Sequence, residues 1–278
     1  MTLNQWLRTA GLPRLEARML LQHIGGYTRI QMVTQDDAQL PPDTETALDQ
    51  AAERRRKGEP MAYILGSREF YGRSFAVNPS VLIPRPETEH LVEAVLQRLP
   101  QDGRVWDLGT GSGAVAVTVK LERPDAAVRA SDISAEALST ARQNAQSLGA
   151  DIELLHGSWF AAAPETPSEN RFNIIVSNPP YIEQNDPHLK QGDLRFEPQT
   201  ALTDFSDGTS HIRHIAANAP EHLKRGGYLL FEHGFDQGSA VRRILAENGF
   251  TDIQTLPDLA GLDRITLGKI PDTPSENV

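Results

Sequence analysis

From Glu87 onward, short apolar runs alternate with longer amphipathic stretches, and that rhythm leaves few folds open. Strand-like runs rich in β-branched and aromatic residues occur around residues 105–108, 127–131, 152–155, 172–176 and 228–231. Helical spacing separates several of them, most clearly over residues 135–148, where Gly149 marks the stop. Leu91, Val92, Val95, Leu96 and Leu99 form a further helical face that ends at Pro100. Strands divided by helices return to their sheet through crossovers and therefore pair in parallel. With closing strands at residues 250–256 and 264–267, the expected fold is α/β. It is a doubly wound, mostly parallel, seven-stranded Rossmann-like sheet spanning residues 85–278.

The first 60 residues read differently, as short helices. Thr2 caps a helix bearing Leu3, Trp6, Leu7 and Ala10, which Gly11 stops. Pro13 opens a second, with Leu15, Leu20, Leu21 and Ile24 as its apolar positions and Gly25-Gly26 as its end. Residues 43–57 form a third, closed by Gly58. Its basic tail, Arg54-Arg55-Arg56-Lys57, reads as cations suited to a helix C-terminus, or else as a patch for nucleic acid. Residues 61–84 connect the two parts: Ile64-Leu65 and Phe75-Ala76-Val77 flank Gly66, Phe70, Tyr71 and Gly72 as a β-hairpin. The tail from Pro271 is polar and expected to fray.

Among 278 residues there is no cysteine, so disulfides, thiolate metal sites and a cysteine nucleophile are excluded. The net charge of −10 counts against stable binding of long nucleic acid. No apolar run is long enough for a membrane span, and the first residues lack a signal-peptide layout, so a cytoplasmic location without membrane attachment is expected.

Trp106-Asp107-Leu108-Gly109-Thr110-Gly111-Ser112-Gly113 joins the first strand of the sheet to a helix. Alternate glycines let the backbone turn sharply and approach a ligand closely, a pattern shared by nicotinamide and flavin enzymes. Asp107 favours S-adenosylmethionine over these, because a carboxylate there offsets ammonium and sulfonium charge but repels a pyrophosphate. Asp132, at the end of the next strand, is placed to accept hydrogen bonds from ribose hydroxyls. Trp159, after the third strand, is placed to border an adenine ring, or else packs in the core.

Asn178-Pro179-Pro180-Tyr181 ends the apolar run 174–177. Its prolines remove two backbone donors and fix two φ angles, leaving a rigid turn whose exposed groups are mainly acceptors. The Asn178 side-chain oxygen and the Pro179 carbonyl suit the two donors of a planar NH2 group, and Tyr181 can cover its flat face. Asn178, Pro179 and Tyr181 are thus the expected catalytic residues, and Pro180 completes the substrate-binding turn. Asn178 is also expected to border the cofactor.

With these residues in view, the chain resembles the glutamine N5-methyltransferases of peptide chain release factors. The resemblance runs in order through Ile83-Pro84-Arg85-Pro86-Glu87-Thr88-Glu89, the loop 107–113, Ser177 to Tyr181, Arg195-Phe196-Glu197-Pro198 and Glu232-His233-Gly234. It implies S-adenosylmethionine as cofactor, held by Gly109 to Gly113, Asp132 and Trp159. It implies as substrate the glutamine of the Gly-Gly-Gln loop in bacterial class I factors, release factors 1 and 2, clamped by Asn178 to Tyr181. It gives the N-terminal helical domain a part in engaging the release factor. Arg195, Glu197 and Pro198 read as a substrate lid or else as an ordinary surface turn, and Arg85 with Glu87 as a salt-bridged helix start or else as lining of the cleft near the domain junction.

Two rival activities share parts of this pattern. An adenine N6 or guanine N2 methyltransferase would use the same tetrapeptide but needs a basic surface. A nicotinamide-dependent oxidoreductase would leave Asn178 to Tyr181 without purpose. His211 and His214 have metal-pair spacing, but no third ligand completes a site, and no metal is expected.

Overall fold

The computed structural model describes residues 1–163, 165 and 167–272; the tail beyond 272, expected to fray, lies outside the described residues. The chain forms two compact units, Met1–Ser67 and Arg68–Val278.

The first unit holds α1 (Leu3–Thr9), α2 (Arg14–His23), α3 (Gln31–Thr34), α4 (Pro42–Arg56) and α5 (Met61–Leu65). Thr2 closes a capping box on α1: its Oγ1 accepts from Gln5 N at 3.2 Å while Gln5 Oε1 accepts from Thr2 N at 2.9 Å. Leu3, Trp6, Ala17, Leu20, Leu21 and Leu48 make its core. Leu15 is not among them and is 70% exposed. At about 100° per residue it points away from the face carried by Ala17, Leu20 and Leu21. The one-turn α3 was not expected from the sequence; Thr28 Oγ1 starts it by accepting from Gln31 N at 3.2 Å. The basic run of α4 is paired within this unit: Arg54 with Glu59, Arg55 bidentate on Glu16, and Arg56 and Lys57 with Glu53. That pairing favours the structural reading of the run over a nucleic-acid patch.

Ile64 and Leu65 are helical, contrary to expectation. Pro60 supplies a fixed φ at the start of α5, and Gly66 ends it in the left-handed region at φ 69°. The hairpin begins after that glycine, as β1 (Ser67–Phe70) and β2 (Arg73–Ala76). Tyr71 and Gly72 form its turn with φ of 52° and 71°, the positive values that match the twist of paired strands.

The second unit continues with α6 (Glu87–Leu96), β3 (Arg104–Leu108), α7 (Ala114–Glu122), β4 (Ala127–Asp132), α8 (Ala135–Leu148), β5 (Glu153–His156) and β6 (Phe172–Ser177). After an insertion containing α9 (Gln199–Leu202) come α10 (Ser210–His222), β7 (Leu223–Glu232), α11 (Gly238–Glu247), β8 (Thr251–Pro257) and β9 (Asp263–Lys269). The seven-stranded sheet has the order β5-β4-β3-β6-β7-β9-β8. Only β9 runs against its neighbours. Its central strands are buried on both faces, as two-sided helical cover requires. Val105, Ile174 and Leu230 meet α6 and α7 on one side. The residues that follow them, Trp106, Ile175 and Phe231, meet α10 and α11 on the other.

Candidate active site

The β3–β6 register pairs Leu108 with Ser177, so two motifs 69 residues apart leave the sheet side by side. Ser177 Oγ ties the strand ends by donating to the Leu108 carbonyl at 2.7 Å. From β3 the chain winds outward through β4 and β5 and re-enters on the other side at β6. That switch point opens a crevice at the carboxyl ends of the strands. A cavity of about 540 Å³ lies there, the size of a small-molecule site. Asp107, Gly109, Thr110, Gly111, Ser112, Asp132, Trp159, Asn178 and Pro180 line it together.

Gly113, Pro179 and Tyr181 are not among the lining residues. Gly113 stands at φ 81° at the start of α7, where a Cβ would come within 3.2 Å of the Ala141 Cβ on α8. Its glycine is required by helix packing. Gly109 does face the cavity: at φ 73° it lies under Trp159, whose ring a Cβ would meet at 3.2 Å. Trp159 itself holds φ 48°, a conformation uncommon for a bulky residue and found at constrained sites. The His211 ring lies 5.1 Å from it, also on the cavity wall. Burial keeps His211 below the usual imidazole range. Among the described residues, no cluster of three or more His, Asp or Glu is arranged for a metal ion.

Two carboxylates dominate the electrostatics. Asp107 is 2% exposed, and burial raises its carboxyl to about 7 despite hydrogen bonds from Thr110 Oγ1, at 2.6 Å, and the Ala116 backbone. The Asp132 charge adds to the rise. Asp132 is likewise pushed up by burial, although it accepts from Gly111 N at 2.8 Å and Ser134 N at 2.9 Å. These two bonds shape the glycine loop around Asp132, a link not visible in the motif alone. Such a cavity favours a cationic ligand and disfavours a polyanionic one.

The turn 178–181 is held from several sides. The Asn178 amide donates to Thr88 Oγ1 at 3.4 Å. The Tyr181 carbonyl accepts from Gln237 Nε2 at 2.9 Å, and the Arg264 charge lies near the Tyr181 side chain. Burial, with the Glu232 charge nearby, raises the Tyr181 phenol above its ordinary range.

The insertion 182–209 folds back on the site: Pro198, Thr200, Ala201 and Phe205 reach the cavity wall. Glu197 anchors it, fully buried, accepting from Ile83 N at 3.0 Å and pairing with Arg85. Arg85 is therefore salt-bridged to the insertion and not to the start of α6, a contact across 112 residues that local sequence does not announce. Replacing Glu197 by alanine removes the partner of both groups. One-sided loss of a buried pair costs about 3–5 kcal/mol. Since the Arg85 side chain keeps 30% exposure, we expect about 2–3 kcal/mol, seen as a lower denaturant midpoint. An unchanged midpoint would mean that the pair does not anchor the insertion. Thr88, Ser80, Leu82 and Phe205 also line the cavity without having been expected. Only Thr88 lay in a stretch the sequence had marked, 83–89.

Comparison with known proteins adds to this geometry. The family model described as "Methyltransferase small domain" matches residues 86–193, and the "PrmC N-terminal domain" matches residues 3–66. A "Release factor glutamine methyltransferase" of Neisseria gonorrhoeae is 66% identical over 269 residues, covering 97% of this chain and 98% of the relative. Proteins of the same name from Bordetella pertussis and Escherichia coli are 50% and 43% identical, covering 96% and 97% of this chain and 98% and 99% of their own length. Among solved structures, a Pyrococcus furiosus methyltransferase aligns with a TM-score of 0.56 at 15% identity, covering 80% of this chain and 98% of that one. A Thermus thermophilus 16S rRNA N2 G1207 methyltransferase gives 0.52 at 19%, covering 73% and 49%. At such identities the two structures speak to the fold alone.

Proposed function

Because the chain belongs to the release factor glutamine methyltransferases, we propose that it methylates the side-chain amide nitrogen (N5) of a release factor glutamine, with S-adenosylmethionine as donor. The target is the glutamine of the Gly-Gly-Gln loop in bacterial class I factors, release factors 1 and 2. The observation that carries this reading is one cavity holding a buried carboxylate, Asp107, and a half-buried one, Asp132, beside the Asn178 turn.

The residues fit the cofactor. Asp107, held half-protonated near neutrality by burial, gains from a cationic amino acid moiety, and a pyrophosphate would worsen its position. Gly109, Gly111 and Ser112 leave the wall open at the loop, Asp132 retains acceptor capacity for ribose hydroxyls, and Trp159 offers a ring for adenine. When bound, S-adenosylmethionine supplies an electrophilic methyl group on a sulfonium.

What the chain itself does is orient a poor nucleophile. An amide nitrogen has a delocalised lone pair. The Asn178 Oδ1 and the Pro179 carbonyl accept its two N–H bonds, which returns electron density to nitrogen and holds the lone pair on one line of approach. Positioning of this kind supplies up to about 7–11 kcal/mol of barrier reduction. No strong base is required, since the nitrogen becomes acidic as its new C–N bond forms and the proton then passes to solvent. Residues 1–60 serve as the helical substrate-recognition domain, 61–84 as the connector and 85–278 as the methyltransferase domain.

Labelled S-adenosylmethionine tests the reading when supplied with a release factor, the same factor with its loop glutamine changed, and total RNA or DNA. Label is expected in the unmodified factor only. Label in nucleic acid in its place would establish a nucleobase amino group as the target and overturn the proposal.

A further inference from the structure

An asparagine side chain can sit either way round, with oxygen or NH2 toward the cavity. Only the first holds a substrate NH2; the second sets donor against donor. Something must therefore choose.

The sheet places a carboxylate where that choice is made. β6 and β7 are parallel with Ser177 opposite Phe231, so the next residues, Asn178 and Glu232, are neighbours beyond the strand ends. Glu232 ends an apolar strand and is 1% exposed, a position where an acid is costly unless its acceptors are used. Its surroundings include Arg264, Glu87 and the Thr88 and Asn178 side chains, and its Oε2 is a buried acceptor with no hydrogen-bond partner among the described residues, open to an NH2 beside it. Thr88, itself 5% exposed and beside Glu232, accepts from Asn178 Nδ2 at 3.4 Å, which leaves its hydroxyl proton free to turn toward the carboxylate. Both acceptors around Asn178 thus call for its NH2.

We infer that Glu232 is a positioning residue of the methyl transfer. Acting directly and through Thr88, it holds the Asn178 NH2 and keeps the Asn178 oxygen facing the substrate amide. The inference rests on the function proposed above. Glu232 does not line the cavity and touches no reacting atom.

Four variants of the full chain test it, with release factor methylation and S-adenosylmethionine Kd measured for each. Glu232→Leu should lower kcat about 10- to 100-fold with Kd within about threefold, whereas Glu232→Gln, which keeps an acceptor oxygen, should stay within about fivefold of wild type. Asn178→Asp should be severely impaired because its carboxylate meets that of Glu232. The double variant Asn178→Asp/Glu232→Gln reverses the polarity of the pair. The introduced glutamine amide now donates, one oxygen of the introduced carboxylate receives, and the other faces the substrate. It should regain at least about tenfold over Asn178→Asp alone. A Glu232 that merely packs would make the two losses multiply, and a double variant no better than Asn178→Asp overturns the inference, even should the leucine variant fail to fold. A wild-type protein inactive on release factor would instead overturn the functional reading, and this inference with it.

Discussion

Asn178→Ala is expected to cut kcat by about 10³-fold while leaving the Kd for S-adenosylmethionine within about threefold. The asymmetry follows from the wall on which the residue stands. The glycine loop, Asp107 and Asp132 belong to β3 and β4 and keep their hydrogen bonds to Thr110, Gly111 and Ser134 whatever occupies position 178. What alanine removes is the acceptor that orients an amide whose nitrogen is otherwise a poor nucleophile. The turn should persist, since Gln237 holds it through the Tyr181 carbonyl and two prolines fix its backbone. Single-turnover methylation and calorimetric binding separate the two effects. Equal losses in both would mean that Asn178 shapes the cofactor site and is not a clamp.

Asp107→Asn is the counterpart. It should weaken S-adenosylmethionine roughly 10- to 100-fold, the worth of a charge-assisted contact to a buried carboxylate. The wild-type affinity should also depend on pH. With Asp107 at about 7, the proton must leave before the ionised group can face a cation, so affinity falls as pH drops below 7. Kd should be roughly eightfold higher at pH 6 than at pH 7.5, and the asparagine variant should show no such dependence. The unliganded protein should respond in the opposite sense. A carboxyl raised by burial holds its proton in the folded state where the unfolded chain has lost it. Its penalty is absent below about pH 4, grows as pH rises to about 7 and stays constant above. Asp107→Asn should therefore raise the stability of the unliganded protein at pH 8, by on the order of a few kcal/mol. A flat wild-type profile would show that the ligand does not draw on this charge.

Where structure depends on neighbours in sequence, the chain is readable in advance. The Thr2 cap, the stop at Gly149 and the seven strands follow from spacing and turn chemistry. So does the meeting of the 107–113 and 178–181 stretches, because a doubly wound sheet has a single reversal of direction. Misreadings occur where a short segment carries mixed signals. Ile64-Leu65 is apolar and opens on a β-branched residue, but it is bracketed by Pro60 and Gly66 at helical length. Leu15 is apolar but stands off the buried face. Glu197 on Ile83 and Arg85, and Glu232 beside Asn178, stayed hidden for another reason. Those carboxylates gain meaning only from partners set opposite them by topology, 112 and 114 residues away for Glu197, and no local pattern encodes such a pairing. Gly113 teaches the converse: a motif position can be fixed by helix packing while its neighbours face the cavity.

Fragment-ion mass spectrometry of the release factor, after incubation with the enzyme and S-adenosylmethionine, reads out whether the Asn178 turn presents a protein glutamine amide for methylation. One methyl group in place of one hydrogen is expected on the side-chain amide of the Gly-Gly-Gln glutamine, formed about 10³-fold more slowly when Asn178 is alanine. A methyl group on any other residue, or an unchanged methylation rate with the alanine variant, would rule out that role for the Asn178 turn.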